Sequence, residues 1–141
     1  MAEPKKILKN CKFMVEKKMK FREFLLATGT KFLLGKDKEQ NEALVKSFIG
    51  KNNFILHTAS PGSPFCVIEK MIFKGDVHAA AVVCARYSQD WRDNKKDIIV
   101  NVFTGKDVYK SKIKPIGTFG VKKQKKIIVK KKEILEFEKS K

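Results

Sequence analysis

The chain has 141 residues, of which 43% are hydrophobic, enough for one domain with a single core. It carries 32 lysines and arginines against 15 acidic residues, a net charge of +17. Such a charge on a small domain indicates an anionic partner, and nucleic acid comes first because lysines gain affinity for phosphates through counterion release. Arginine, the better reader of base edges, occurs only at positions 22, 86 and 92. We therefore expect recognition of backbone and shape.

Cysteine and hydropathy patterns narrow the class of protein further. The cysteines at positions 11, 66 and 84 are odd in number and widely spaced, which supports neither a disulfide framework nor a zinc site. The longest apolar run, residues 79–85, is too short to span a bilayer, and no secretory signal precedes it. The sequence predicts a cytoplasmic protein without integral membrane association, metal or other cofactor.

Residues 1–19 contain a predicted basic amphipathic helix over 4–19. Pro4 suits its first turn, and the apolar positions recur with helical spacing. They are Ile7, Leu8, Cys11, Met14, Val15 and Met19. Packing on its own domain is the commonest fate of such a helix. A membrane or protein adaptor acting through this helix is an alternative function.

A β-hairpin and a helix are predicted next. Strands over 21–26 and 31–34 flank a turn at Thr28-Gly29. Asp37, with Gln40 three residues later, predicts a capped helix that ends at Gly50. Together they place one hairpin and one helix before residue 51.

The rest of the chain predicts further strands and a second long helix. Short strands over 54–57 and 65–69 flank Ser60-Pro61-Gly62-Ser63, a type II turn pattern. The helix covers 75–88 with Asp76 as its cap, residues 89–97 form a loop, and strands follow near 98–103, 108–109 and 127–129. We predict one α+β domain over 20–130, with a mostly antiparallel sheet and about three helices, and a charged tail over 131–141.

Histidine-centred catalysis is a possibility that the sequence leaves open. His57 and Cys66 could face each other across the turn, as nucleophilic catalysis requires. Cys66 lies within the apolar run FCVIE, where a free cysteine usually packs as a small hydrophobe. We therefore keep His57 as a weak catalytic candidate for an RNA-modifying or RNA-processing enzyme.

Basic residues interleaved with aromatic ones are the stronger signal. Tyr87 and Trp91 lie in the basic segment 86–96, and Tyr109 and Phe119 lie in the lysine-rich segment 106–126. Exposed rings can stack on unpaired bases while lysines follow the phosphates. For each ring a place in the core is the better interpretation, whereas the lysine cluster favours binding.

Four sequence segments resemble the NFACT-R domain family. Two are the hairpin leading into GKDKEQNEAL and the segment FILHTASPGSPFCVI, and two are ARYS and KSKIKPIGTFGV. The resemblance covers residues 20–130 in order, although Ile55 stands where the family usually has Trp and its second histidine is replaced. The matching residues are Arg22, Phe24, Gly29, Gly35, Lys36, Asp37, Asn41, Glu42, Leu44, His57, Pro61, Gly62, Ser63, Lys112, Pro115, Gly117 and Phe119.

The resemblance implies an RNA-binding protein that contacts structured RNA, either rRNA or tRNA. Large NFACT proteins act in ribosome-associated quality control and bind the large ribosomal subunit, so we expect a stand-alone module of related function. The predicted RNA-contacting residues are Lys36, Asn41, His57, Ser60, Ser63, Arg86, Arg92, Lys106, Lys110, Lys112, Lys114, Lys122, Lys123, Lys125 and Lys126.

Overall fold

A computed structural model describes residues 20–140 of the chain. The predicted N-terminal helix over 4–19 lies outside the described residues. Within them, no helix is both long and apolar enough to cross a membrane.

One six-stranded antiparallel sheet forms the centre of the molecule, and two short strands make a separate antiparallel pair. The eight strands of residues 20–140 are β1 Arg22–Leu25, β2 Lys31–Leu34, β3 Phe54–Thr58, β4 Cys66–Lys70, β5 Ile98–Thr104, β6 Val108–Tyr109, β7 Gly120–Val121 and β8 Lys125–Val129. The strand order of the large sheet is β1-β2-β4-β3-β5-β8, and β6 pairs with β7. The predicted α+β class and antiparallel sheet are confirmed.

Helices lie on both faces of the sheet. They are α1 Lys38–Lys46, α2 Asp76–Arg86, α3 Gln89–Asn94 and α4 Lys131–Lys139. On the first face α2 packs against the sheet and α4 packs against α2, while α1 and the β6–β7 pair cover part of the second face. Strand alternation divides the core in two: Val100 and Val102 face α2, whereas Phe103 faces α1.

Local capping begins α1 where the sequence predicts it. The Asp37 carboxylate accepts a hydrogen bond from the Gln40 backbone N–H at 2.8 Å. The Gln40 side chain accepts one from the Lys36 N–H at 3.0 Å. The first bond satisfies a donor in the first turn of the helix, and the second joins Gln40 to the residue before the cap, in place of the cap itself as in a capping box.

The helix α2 spans Asp76–Arg86 and is shorter at both ends than the predicted helix over 75–88. Asp76 is the first residue of the helix instead of its cap, and it accepts a hydrogen bond from the Thr28 hydroxyl at 2.5 Å. Ser88 caps α3 by accepting a bond from the Trp91 N–H at 3.2 Å. The predicted loop over 89–97 therefore contains a helix, and its fully buried Trp91 belongs to the core.

Within the predicted charged tail over 131–141, residues Lys131–Lys139 form the helix α4. Ile134 is fully buried in the core on the α2 side of the sheet. The Glu138 carboxylate lies 2.6 Å from Arg86 Nε and accepts a hydrogen bond from the Trp91 indole at 3.1 Å. Apolar residues at helical spacing among the charges explain the helix, because they give this short segment one face to bury.

Candidate nucleic-acid interface

An open groove occupies the part of the second sheet face that α1 leaves uncovered. Its volume is about 620 Å³, and β3, β5, the turn over 60–63 and the segment over 116–124 bound it. Lys38 lies on one wall. The other side chains important to its chemistry are Asn41, His57, Phe65, Asn101, Phe119 and Gln124.

The Pro-Gly turn forms one rim of the groove, and its conformation depends on Gly62. Gly62 has a φ of +86°, as a type II turn requires at this position. A Cβ there would come 2.9 Å from the Gln89 Cβ, so close packing against α3 also favours glycine.

Ser60 and Ser63 stabilise this turn. The buried Ser63 hydroxyl accepts a hydrogen bond from the Thr58 N–H at 3.1 Å and donates one to the Pro64 carbonyl at 3.0 Å. The Ser60 carbonyl accepts a bond from the Thr58 hydroxyl at 2.7 Å. The predicted RNA contact from Ser63 is therefore replaced by a structural role, since its hydroxyl is occupied inside the fold.

His57 contributes a neutral imidazole to the groove. Its Nδ1 lies 2.8 Å from the Thr58 carbonyl, to which a protonated Nδ1 donates. Its ring centroid is 4.3 Å from that of Phe65. Burial lowers the pKa of His57 below its usual value, although the bond to the Thr58 carbonyl acts in the opposite direction. In the neutral ring Nε2 remains a hydrogen-bond acceptor.

Cys66 does not form a catalytic pair with His57. Cys66 is paired in register with Leu56, and both side chains are fully buried on the α2 face. His57 follows Leu56 and therefore points to the opposite face. Burial raises the pKa of the Cys66 thiol well above its usual value, which disfavours the reactive thiolate. The hypothesis of a cysteine–histidine centre is wrong.

Asn41 belongs largely to the framework of the groove. Its side-chain oxygen accepts a hydrogen bond from the Phe65 N–H at 3.0 Å. Gly35 allows this close approach, because a Cβ there would lie 2.2 Å from that oxygen. Only the amide N–H groups of Asn41 remain for a ligand, so the predicted RNA contact is reduced to these donors.

Lys110 is the clearest correction to the predicted lysine cluster. Its ammonium group lies 2.9 Å from the Glu42 carboxylate and donates to the carbonyls of Pro115 and Thr118, each at 2.8 Å. It also lies 4.7 Å from the centre of the Phe119 ring. The charge of Lys110 is thus satisfied inside the protein and is not available to a phosphate.

Glu42 holds in place the segment over 115–118, which forms one wall of the groove. It accepts hydrogen bonds from Lys110 and from the Gly117 N–H, the latter at 2.7 Å. Burial alone would raise the pKa of Glu42, but the bonds from Gly117, Lys110 and Lys46 outweigh it and lower the pKa to about 2. We call this arrangement the Glu42–Lys110 clamp.

The other seven predicted lysines of the segment 106–126 are exposed. Within residues 20–140 none of them lies within ion-pair distance of a carboxylate. Lys126 donates a hydrogen bond to Asn101 at 3.1 Å. They are Lys106, Lys112, Lys114, Lys122, Lys123, Lys125 and Lys126, and we call them the free lysines.

Arg86 and Arg92, both predicted to contact RNA, have different partners in the structure. Arg86 is paired with Glu138 of α4 at 2.6 Å, so its charge is balanced within the helical layer and the predicted RNA contact is not supported. Arg92 donates hydrogen bonds to the Tyr87 carbonyl at 3.2 Å and to the Gln89 side chain at 2.9 Å, and both of these partners are neutral groups.

A second pocket of about 370 Å³ adjoins the groove, and we call it the cationic pocket. Its basic lining residues are Arg22, Lys36, Lys38 and Arg92. It shares Lys38, Asn41, Gly62 and Ser63 with the groove. Arg22 and Lys38 were not predicted as site residues, because no local sequence pattern indicates that they meet Arg92 across the fold.

A basic α+β domain with an aromatic groove beside a cationic pocket has the features of a small nucleic-acid-binding module. Residues 20–123 match the sequence model of the family described as the NFACT protein RNA binding domain. The match covers most of the chain, which therefore belongs to this family. That membership supports an RNA-binding role.

A solved structure shares the fold. It is the C-terminal part of the fibronectin/fibrinogen-binding protein from Streptococcus suis, with a TM-score of 0.72 and 21% sequence identity. The similarity covers 86% of this chain and 50% of that one, so the chain spans about half the length of the solved structure. No curated protein sequence matches the chain.

Proposed function

We propose that the protein binds structured RNA, either rRNA or tRNA, through the free lysines and the adjoining groove. The proposal extends to a cytoplasmic role at the large ribosomal subunit, in ribosome-associated quality control. The observation that carries it is the set of exposed lysines without carboxylate partners in the described part of the chain, beside an open groove. Membership in a family described as RNA-binding supports the same conclusion.

The chemistry of these lysines favours contact with the phosphate backbone. An ammonium group is a compact charge that attracts phosphates without reading a particular base. Lys122 and Lys123 lie between Val121 and Gln124, which both line the groove, and Lys126 contacts Asn101 in it. An RNA backbone held by these lysines would therefore pass along the groove.

The test compares two variants that lose the same charge. Lys122, Lys123, Lys125 and Lys126 are replaced together by glutamine in one, and Lys74, Lys131, Lys132 and Lys139 in the other. At physiological salt we expect the first variant to bind tRNA and rRNA fragments roughly 10- to 100-fold more weakly than the natural chain. The second should lose much less, because its lysines lie on α4 and before α2.

Equal losses in the two variants would contradict the proposed surface, and no measurable RNA binding by the natural chain would overturn the function itself. Sedimentation of the full chain with separated ribosomal subunits tests the ribosomal part. We expect comigration with the large subunit, and enrichment there when translation is stalled. RNA binding without such comigration would refute the ribosomal role alone.

A further inference from the structure

We propose that the groove holds one unpaired nucleotide, with its base in the groove and an adjoining phosphate in the cationic pocket. This inference rests on the proposed RNA-binding function and names the element of RNA that the site selects. It follows from the aromatic wall, the polar side chains that line the groove and the neighbouring positive charge.

Three rings make a continuous aromatic wall in the groove. The centroids of His57 and Phe65 are 4.3 Å apart, and Phe119 meets Phe65 edge-on at 5.6 Å. Phe65 is buried and backs the other two rings, so the half-buried His57 and Phe119 offer the stacking surface to a base that has left its own helix. The volume of about 620 Å³ lies within the range typical of small-ligand pockets, so a single nucleotide is a suitable occupant.

Polar groups near this wall could meet the edge of a base. His57 Nε2 can accept a hydrogen bond, whereas Asn101 keeps its amide donors because its oxygen accepts a bond from Lys126. Gln124 is exposed and also lines the groove. Bases present both donors and acceptors on their Watson–Crick edge, and a paired base cannot offer that edge.

The walls of the groove also favour an unpaired base. The Glu42–Lys110 clamp holds the segment over 115–118 on one side, and the turn centred on Gly62 stands on the other. A base within a duplex is stacked between its neighbours and cannot reach between these walls. A bulged or looped nucleotide can enter.

The cationic pocket provides for the phosphate. Arg22, Lys36, Lys38 and Arg92 line it with one acidic residue, Asp37, whose carboxylate already caps α1. Lys38 lines both cavities, so base and phosphate sites are continuous. The Arg22 guanidinium lies 4.4 Å from the centre of the Tyr87 ring, which holds it beside the pocket.

The experiment uses two RNA hairpins that differ by one bulged nucleotide carrying 2-aminopurine. We expect the natural chain to prefer the bulged RNA by roughly tenfold, since the bulged base can stack on the rings of the groove and a paired base cannot. Fluorescence of the bulged base should change on binding. Ala59→Trp, at an exposed position lining the groove, should abolish both the preference and the fluorescence change.

Matched controls separate this inference from the function on which it rests. Ile72→Trp adds the same ring at an exposed site outside the groove and should keep the preference. Phe119→Leu should reduce the preference while retaining apolar packing.

A methylphosphonate at the bulge tests the phosphate site. It should weaken binding by the natural chain, but not by the double variant Lys36→Gln/Lys38→Gln.

The outcomes are distinct. If the natural chain binds duplex and bulged RNA equally, the nucleotide site is refuted while RNA binding stands. An unchanged preference in Ala59→Trp also refutes it. If neither RNA binds, the proposed function fails as well.

Discussion

At the scale of single residues, a charged side chain is open to a ligand or not according to the partner that the fold places beside it. Lys110 and the free lysines belong to the same basic segment, yet within residues 20–140 only Lys110 meets a carboxylate. That carboxylate, on Glu42, lies 68 residues away in the sequence. Identical side chains in one segment thus divide into a structural group and a group open to a ligand.

The first prediction concerns Glu42. At pH 7 Glu42→Gln should reduce the free energy of unfolding by about 1–3 kcal/mol, because it leaves Lys110 without its carboxylate. The folded-state pKa of Glu42, about 2, lies below its ordinary value of 4.5. The stabilisation is therefore complete above pH 4.5 and lost as the pH falls towards 2.

Urea denaturation at pH 7 and near pH 2.5 measures this effect. The difference between the natural chain and Glu42→Gln should shrink at the lower pH. Glu39→Gln is the control, because Glu39 is an exposed acid on the same helix. A Glu42 effect that stays constant with pH would show that the carboxylate charge does not stabilise the clamp.

The second prediction concerns His57. Its imidazole should titrate below pH 6.5, since burial favours the neutral ring. Its contribution to stability is complete above pH 6.5 and decreases as the pH falls towards the folded-state pKa. An NMR titration, with His78→Gln to assign the two histidines, measures the midpoint. A midpoint above 6.5 would contradict the desolvated position of the ring.

At the scale of elements, α4 is part of the core. The third prediction is that Ile134→Ala destabilises the protein by about 2–4 kcal/mol, because Ile134 is fully buried in the core on the α2 side. Leu135→Ala is the matched control, since Leu135 is 39% exposed and should cost much less. Denaturant midpoints measure both changes, and equal costs would argue against docking of this helix.

Local rules predicted the elements whose ends depend on nearby residues. Gly29 and Gly62 have positive φ values at the predicted turns, and Asp37 caps α1 as expected. The helix α4 was not predicted from the sequence, because Lys130 at its N-cap is a poor capping residue. Its apolar face stabilises it only because α2 lies against that face, and the local sequence cannot show this tertiary contact.

The candidate site was less predictable than the fold. His57 and the Pro-Gly turn were found from a short segment, whereas the cationic pocket joins Arg22 to Arg92 across the fold. That meeting depends on strand order and on the position of α3. Local spacing contains neither, so the sequence could indicate a basic surface but not its pocket.

At the scale of the whole molecule, the net charge of +17 predicts strong dependence on salt. The fourth prediction is that log K for RNA falls with log salt at a slope of roughly −4 to −7, if five to eight phosphates are neutralised. Glutamine at Lys122, Lys123, Lys125 and Lys126 should reduce the steepness by about 3. Binding isotherms at several salt concentrations measure it, and a flat dependence would exclude phosphate contact as the main source of affinity.

Among residues 20–140, the elements on the second face cover only part of the sheet, and the groove lies in the part that they leave open. Six strands span roughly 24 Å, whereas the nine residues of α1 extend roughly 13 Å. Ile99 and Ile128, paired on neighbouring strands, remain 42% and 56% exposed as a result. An apolar segment laid over them would increase stability, and one that reached Asn101 and Lys126, the next pair on the same face, would also cover one edge of the groove. Binding capacity and resistance to unfolding therefore compete where these neighbouring parts of the sheet meet.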